Sequence, residues 1–411
     1  MLKLFFILPI LFLANYSFSS VIQVGKNKSF HSIHAALQKA NNGDTIFVDG
    51  GVYAEGEIKI IKSIKLIGKN LPIIDAQKKW QAISVYVNNV LIEGFEVRNS
   101  GYSSMYDWAG IKLVQCDSCT IQNNILTNNN FGIYLQASTN CIIANNKINS
   151  NITDEMLSGN AIHCWKSSYI TIKNNNVSGH RDGIYFEFVT NSIIQNNYSH
   201  NNIRYGLHFM FSHNNSFIKN IFQKNPSGIA VMYSHGVTMT GNRFEENWGS
   251  AAYGILMKDI SDSHVIHNIF RSNTMAIYLE GASRILIEKN QFISNGYAMR
   301  VLANCNDNTI KQNNFISNSF DISTNGTMQL NVYKNNYWDK YEGYDLDRNG
   351  IGDVPYRPVS MYSMVIEQSP AALMLLRSFL VNLLDKTEKV VPAIIPEGLI
   401  DNKPLMKKIA L

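Results

Sequence analysis

The sequence predicts an all-β fold: a right-handed parallel β-helix of three-strand coils of about 22 residues, with a short N-terminal capping helix and a C-terminal helical and extended tail. Three observations predict it. From Asn89 onward a pattern of small, apolar, variable, apolar residues recurs. Its copies open at Gly110, Gly132, Ala161, Gly183, Gly206, Gly228, Gly254, Ala276 and Ala298, spaced by twenty-two or twenty-three residues except at two insertions. Each copy also carries an asparagine at a fixed turn: Asn123, Asn145, Asn174, Asn196, Asn220, Asn242, Asn268, Asn290, Asn313 and Asn335. Asparagine tolerates left-handed backbone, and stacked asparagines can hydrogen-bond from coil to coil. Finally, the period is too short for helix-pair repeats and lacks leucine-rich spacing, which leaves room for three short strands and three turns, in roughly ten coils.

Alternation along a strand then assigns faces. Ile111, Ile133, Ile162, Ile184, Leu207, Ile229, Ile255 and Ile277 point inward, as do the residues two further on. Between and beyond them run two outward columns. One holds Lys112, Tyr134, His163, Tyr185, His208, Ala230, Leu256, Tyr278 and Arg300; the next holds Val114, Gln136, Trp165, Glu187, Met210, Met232, Lys258, Glu280 and Leu302. These columns are expected to form an exposed sheet face. The insertions 149–160 and 245–252 are expected as loops that bracket its centre, from which Met156 and Trp248 could reach across.

The elements before the repeat are read in chain order. Met1–Ser20 has a lysine, a ten-residue apolar run from Leu4 to Leu13 and a small-residue cleavage region, the pattern of an export signal. Its apolar run is too short to span a bilayer core of about 30 Å. Residues 21–88 are the cap and first coils, where Phe30–Ala40 has helical spacing followed by Gly43 and should cover the open end of the strand stack. Composition, 45% hydrophobic and 16% charged with 9 prolines, fits a large globular chain. A net charge of +5 without a basic run argues against nucleic acid as a partner. Five cysteines lie scattered through the repeat; packing, a disulfide and metal binding are the readings, in that order.

Residues 204–242 write one motif twice. GLHFMFSH at 206–213 returns as GIAVMYSH at 228–235, twenty-two residues on. Stacked coils would set Met210 beside Met232 and His213 beside His235 at the strand spacing of about 4.8 Å. Thioethers and imidazoles together suit Cu(I), whereas harder ions prefer oxygen. Met210, Met232, His208, His213 and His235 are therefore the candidate copper ligands, and His163, two coils earlier beside Trp165, is either an extension of the path or a surface ladder residue.

After the repeats, residues 337–368 contain Asp345, Asp347, Asn349, Gly350 and Asp353 at the first, third, fifth, sixth and ninth positions of a calcium loop, with Tyr356 where the bidentate glutamate belongs. A weak Ca²⁺ site and a plain Asx-rich turn both fit. In the tail, residues 369–411, Pro370–Lys389 reads as an amphipathic helix with a leucine stripe that either caps the coil or docks a partner.

Taken together, the export signal, RYGLHFMFSHNN, IAVMYSH, the block NNYWDKYEGYDLDRNGIGDVPYRP and the SPAALMLL tail resemble the NosD family of periplasmic β-helix proteins over essentially the whole mature chain. The resemblance implies a periplasmic factor that supplies copper for the copper–sulfide cluster of nitrous oxide reductase. It also implies, as partners, an ABC transporter (ATPase and inner-membrane permease) and a copper-carrying lipoprotein. A sugar-active β-helix enzyme is the alternative, since this fold often grips polysaccharides; it needs paired carboxylates, for which only Glu187 and the His180-Arg181-Asp182 segment offer anything. A purely structural β-helix gives no reason for methionine and histidine to recur together.

Overall fold

The computed structural model describes residues 19–103, 105–326, 330–376, 378–379, 381, 383–384 and 399–410. Nearly all of Met1–Ser20 therefore lies outside the described residues. The chain winds as a parallel β-helix whose three faces are parallel sheets of fourteen, twelve and thirteen strands among those residues. The coil number is thus higher than the roughly ten expected. The excess lies mostly before Asn89, where Val21–Val24, Thr45–Val48 and Lys65–Gly68 already pair in parallel, without the small-residue and asparagine punctuation that marks later coils, and lead on to Leu91–Glu93.

Inside, the inward isoleucine and leucine columns are buried, and the inner face of the thirteen-stranded sheet carries a continuous ring stack of Phe222, Phe244, Phe270, Phe292, Phe315 and Trp338 with centroids 4.0–5.4 Å apart. Each offset pair adds about 0.5–1.5 kcal/mol beyond its buried area. The small residue that opens each copy is required by close approach of backbone. A Cβ on Gly206 would lie 2.7 Å from the Gly228 carbonyl oxygen, and one on Gly228 would lie 2.5 Å from that of Gly254.

Two adjacent columns share the role expected of one asparagine. The left-handed residue is Asn123, Asn145, Asn174 and Asn196 in early coils, but Lys219, Gly241, His267, Lys289 and Gln312 in later ones, and Asn335 at the end. The residue that follows is the buried ladder: Asn124, Asn146, Asn175, Asn197, Asn220, Asn242, Asn268, Asn290, Asn313 and Asn336. Asn124 accepts at Oδ1 from the Phe95 backbone N–H, and each later one accepts from the backbone and side-chain N–H of the asparagine one coil before. Turn conformation tolerates several residue types, whereas the buried ladder needs a side chain that both donates and accepts. A second ladder at another corner runs through Asn202, Asn225, Asn247, Asn273, Asn295 and Asn318.

Both ends are closed. Helix α1 (Ile33–Lys39), capped by Ser32 accepting from the Ala35 N–H, buries Ile33, Ala36 and Leu37 on the first coils, as the spacing predicts. At the other end the tail departs from expectation. Helix α2 (Met361–Gln368), which the sequence did not predict, is followed by a 3₁₀ turn over Pro370–Leu375, and of the expected Pro370–Lys389 helix the described Phe379, Val381, Leu383 and Leu384 are helical. Ser360 accepts from the Ser363 N–H as its N-cap, and α2 packs Tyr362 and Ile366 on Phe320. Residues 385–398 of the expected helix and tail lie outside the described residues, whereas 399–410 return to the coil. There Asp401 accepts from Asn335 N, Asn336 N and Nδ2, Trp338 Nε1 and Lys403 N, ending the first ladder with a carboxylate. The five cysteines are buried free thiols.

Candidate functional site

The twelve-stranded sheet carries the two outward columns in the expected register. Lys112, Tyr134, His163, Tyr185, His208, Ala230, Leu256, Tyr278 and Arg300 are successive partners, and so are Gln136, Trp165, Glu187, Met210, Met232, Lys258 and Glu280. Met210 lies directly beside Met232. The face is less open than the sequence suggested. His163 is 9% and His208 8% exposed, while Met210 and Met232 are half-buried. The burial has two sources. Tyr134, His163, Tyr185 and His208 stack on one another at centroid distances of 4.5–4.9 Å, and the 149–160 insertion reaches over the next coils, where Glu155 meets Arg204 at 3.5 Å. Met156 and Trp248, expected to reach across, are exposed instead.

At the centre, His208 sits in a charged nest. Arg204 grips Asp182 with two hydrogen bonds, Nε to Oδ1 at 3.0 Å and Nη2 to Oδ2 at 2.8 Å, and lies over the Tyr205 ring. Asp182 is fully buried; burial alone would raise its pKa, but the Arg204 guanidinium that grips it, with His208 alongside, outweighs that and holds the carboxyl below the usual range. His208 Nδ1 is 3.4 Å from Arg204 Nη2 and 3.5 Å from Asp182 Oδ2, while its Nε2 is buried without a hydrogen-bond partner. A histidine backed by a carboxylate at one nitrogen and open at the other is the usual posture of a metal ligand. On the same sheet, the Tyr185 hydroxyl donates to the Met210 sulfur at 3.9 Å.

The other sequence candidates lie apart from this centre. A left-handed residue, Phe211 in one coil and Tyr233 in the next, turns the chain between each methionine and the following histidine. His213 and His235 therefore stand past the corner, stacked face to face at 4.0 Å with 13° between planes, and His213 Nδ1 accepts from the His235 backbone N–H. Lone pairs of parallel rings project side by side, so this pair does not converge on one ion as it stands. Burial pushes the His163 pKa down to about 3, with the Arg181 charge acting in the same direction, and its Nδ1 faces Asn160 Nδ2 at 3.0 Å. Trp165 pairs with the Lys166 ammonium. In the calcium-like loop, Asp345 accepts from the N–H groups of Asn349 and Gly350, Asp347 from Asn349, and Asp353 from Leu346. Tyr356 exchanges both backbone hydrogen bonds with Asp401. Those carboxylates serve the loop's own backbone, as in an Asx-rich turn. Among the described residues no cluster of three or more His, Cys, Asp or Glu side chains could hold a metal.

Asp182, Arg204, Glu155 and Tyr185 were not among the copper candidates. An acid and a base twenty-two residues apart, each just ahead of a copy-opening glycine, are the signal that could have paired Asp182 with Arg204. Glu155 was hidden by the variable length of its loop.

Known proteins resemble this chain in sequence and in fold. Residues 37–158 and 152–343 match the family described as "Periplasmic copper-binding protein (NosD)". A protein of Stutzerimonas stutzeri named "Probable ABC transporter binding protein NosD" is 27% identical over 373 residues, 86% of this chain and 85% of that one. One of Pseudomonas aeruginosa with the same name is 29% identical over 42% of this chain and 44% of that one. Among solved structures, a Yersinia enterocolitica exopolygalacturonase superposes with a TM-score of 0.57 at 9% identity, covering 77% of this chain and 78% of that one. The pneumococcal adhesin PfbA gives 0.50 at 13% identity, covering 75% and 88%. At such identities the structures share the fold alone. Among the described residues no helix is long and apolar enough to cross a membrane.

Proposed function

The chain belongs to the periplasmic copper-binding protein (NosD) family, and from that premise we propose that it accepts Cu(I) on the twelve-stranded sheet and passes it toward the copper–sulfide cluster of nitrous oxide reductase. His208, Met210 and Met232 are the ligands in this reading. The observation that carries it is His208 Nε2, a buried imidazole nitrogen with no partner, on the strand whose Met210 faces Met232 across one strand spacing. A buried polar atom left unpaired costs about 1–3 kcal/mol, and a soft cation is a partner that imidazole and thioether atoms can share. Few ligands on a half-buried face suit transfer, because an ion held by two or three groups leaves more readily than one enclosed by four. His163 lies two coils back along the same aromatic stack, on the path by which an ion would travel. His213 and His235, beyond the corner, serve as a secondary docking point for the ion, reached when one ring turns.

Delivery requires partners. The names of the curated relatives support an ABC transporter, and we assign the inner-membrane permease with its ATPase, together with a copper-carrying lipoprotein, as the proteins met at this face or at the tail. The exposed Leu373, Met374, Leu375 and Phe379 are the apolar surface the tail offers.

The test is Cu(I) titration against a chromogenic chelator. Replacing Met210 and Met232 together by leucine keeps volume and shape and should abolish stoichiometric binding and reductase maturation in cells. Unchanged stoichiometry with an active reductase places the site elsewhere.

A further inference from the structure

Arg204 and Asp182 compete for one atom of His208. The guanidinium Nη2 lies 3.4 Å from Nδ1, where it can donate, and the carboxylate Oδ2 lies 3.5 Å from the same nitrogen, where it can accept. A neutral imidazole that accepts at Nδ1 carries its proton on Nε2. In that tautomer Nε2 has no lone pair to give a metal. When Nδ1–H donates to a carboxylate instead, Nε2 is free, which is how a second partner fixes the tautomer of metal-bound histidines.

We propose that Arg204 is an interlock on the copper site: a positioning residue that holds His208 in the tautomer closed to copper until Nδ1 is handed over to Asp182. The inference rests on the copper reading above and names its regulation. On loading, the ring gives up the Nε2 proton and takes one at Nδ1 from solvent, so its charge is unchanged. The Nε2 lone pair then forms the bond to Cu(I), Nδ1–H donates to Asp182 Oδ2 in place of Arg204, and no electron is transferred. The same guanidinium also fastens the insertion loop, since its Nη1 meets Glu155. Displacing Arg204 from His208 therefore loosens the only ion pair that Glu155 makes among the described residues, and the state of the site is reported at the loop.

Selective ¹⁵N labelling of histidine reads the tautomer without copper, with His208→Gln assigning the signal. The metal-free protein should show His208 protonated at Nε2. Arg204→Gln should move the proton to Nδ1, strengthen Cu(I) binding and speed chymotrypsin cleavage at Leu157. Asp182→Asn should weaken Cu(I) binding roughly 10–100-fold, the usual cost of losing such a partner. Arg204→Lys keeps a cation beside buried Asp182 but loses the planar fork; it serves if the glutamine variant does not fold, with the same shift in tautomer expected. An Nδ1–H tautomer in the metal-free wild type, or unchanged tautomer and affinity in the Arg204 variants, overturns the interlock. If the Met210→Leu/Met232→Leu protein still binds copper, the copper reading itself falls, whereas loss of binding there with indifferent Arg204 variants removes only the interlock.

Discussion

The two asparagine ladders differ at one place. The first passes unbroken from Asn124 to Asn336 and ends on Asp401. The second runs back from Asn318 to Asn202 and stops, because the coil before Asn202 offers His180 at the facing position, two residues past the Ser178–His200 pair. Asn202 Oδ1 is then left without a donor, and both ring nitrogens of fully buried His180 lack partners. The gap is part of a cluster. Asn160 Oδ1, Arg181 Nε and His208 Nε2 are also unpartnered, so among the described residues one group of such buried atoms lies in the coils on and beside the candidate site, and a second, at Arg300, Asp321, Ser323, Tyr333 and Arg357, lies toward the C-terminal end. A completed ladder fixes the coil; an incomplete one leaves buried polar atoms unpaired, at a cost in stability.

The largest effect should come from breaking the complete ladder at its end. Asp401→Ala strands the N–H groups of Asn335, Asn336, Trp338 and Lys403 that Asp401 now receives, and should cost about 3–5 kcal/mol in denaturant unfolding. It also shows that truncation ahead of residue 399 is not a neutral way to remove the tail.

Lowering the pH should strain the incomplete region next. Burial holds His180 down to about 4 and His163 to about 3, so below about 6.5 the unfolded chain binds protons that the folded chain refuses, and stability falls with pH. His200 and His213 act in the same sense, also through burial. Asp321, pushed up by burial to about 6, opposes them, because its folded form holds a proton that the unfolded chain has released. The net between pH 6 and 4 is an uptake of about one proton or more on unfolding, or roughly 1.4 kcal/mol lost per pH unit. Urea titrations at pH 7, 6 and 5 measure the slope; a flat profile contradicts it.

A smaller effect, of opposite sign, sharpens the comparison. His180→Asn supplies the missing rung and should stabilise by about 1–2 kcal/mol while reducing that slope, both read from the same titrations. The least change in stability, under about 1.5 kcal/mol by thermal melting, is expected for Met210→Leu/Met232→Leu.

Much of this molecule was legible in its repeat. The inward columns, the outward columns and the Met210–Met232 pairing all follow from a period of about 22 and an alternation of two, because parallel in-register coils leave no freedom in which residues become neighbours. The ladder was half legible: the asparagines stood out, but the turn and the buried rung are adjacent positions that sequence alone merges. Coil count failed before Asn89, where parallel pairing continues on plain alternation.

The sequence by itself thus determined the coil, its register and which residue types share a face, since those depend on local spacing repeated many times. Only the tertiary structure decided which of those residues are buried, that a corner at Phe211 and Tyr233 sends His213 and His235 away from the methionines, that Asp182 and Arg204 close on His208, and that Asp401 returns to end the ladder. Those depend on insertions, corners and chain ends, each of which occurs once, and a feature that occurs once leaves no period to read.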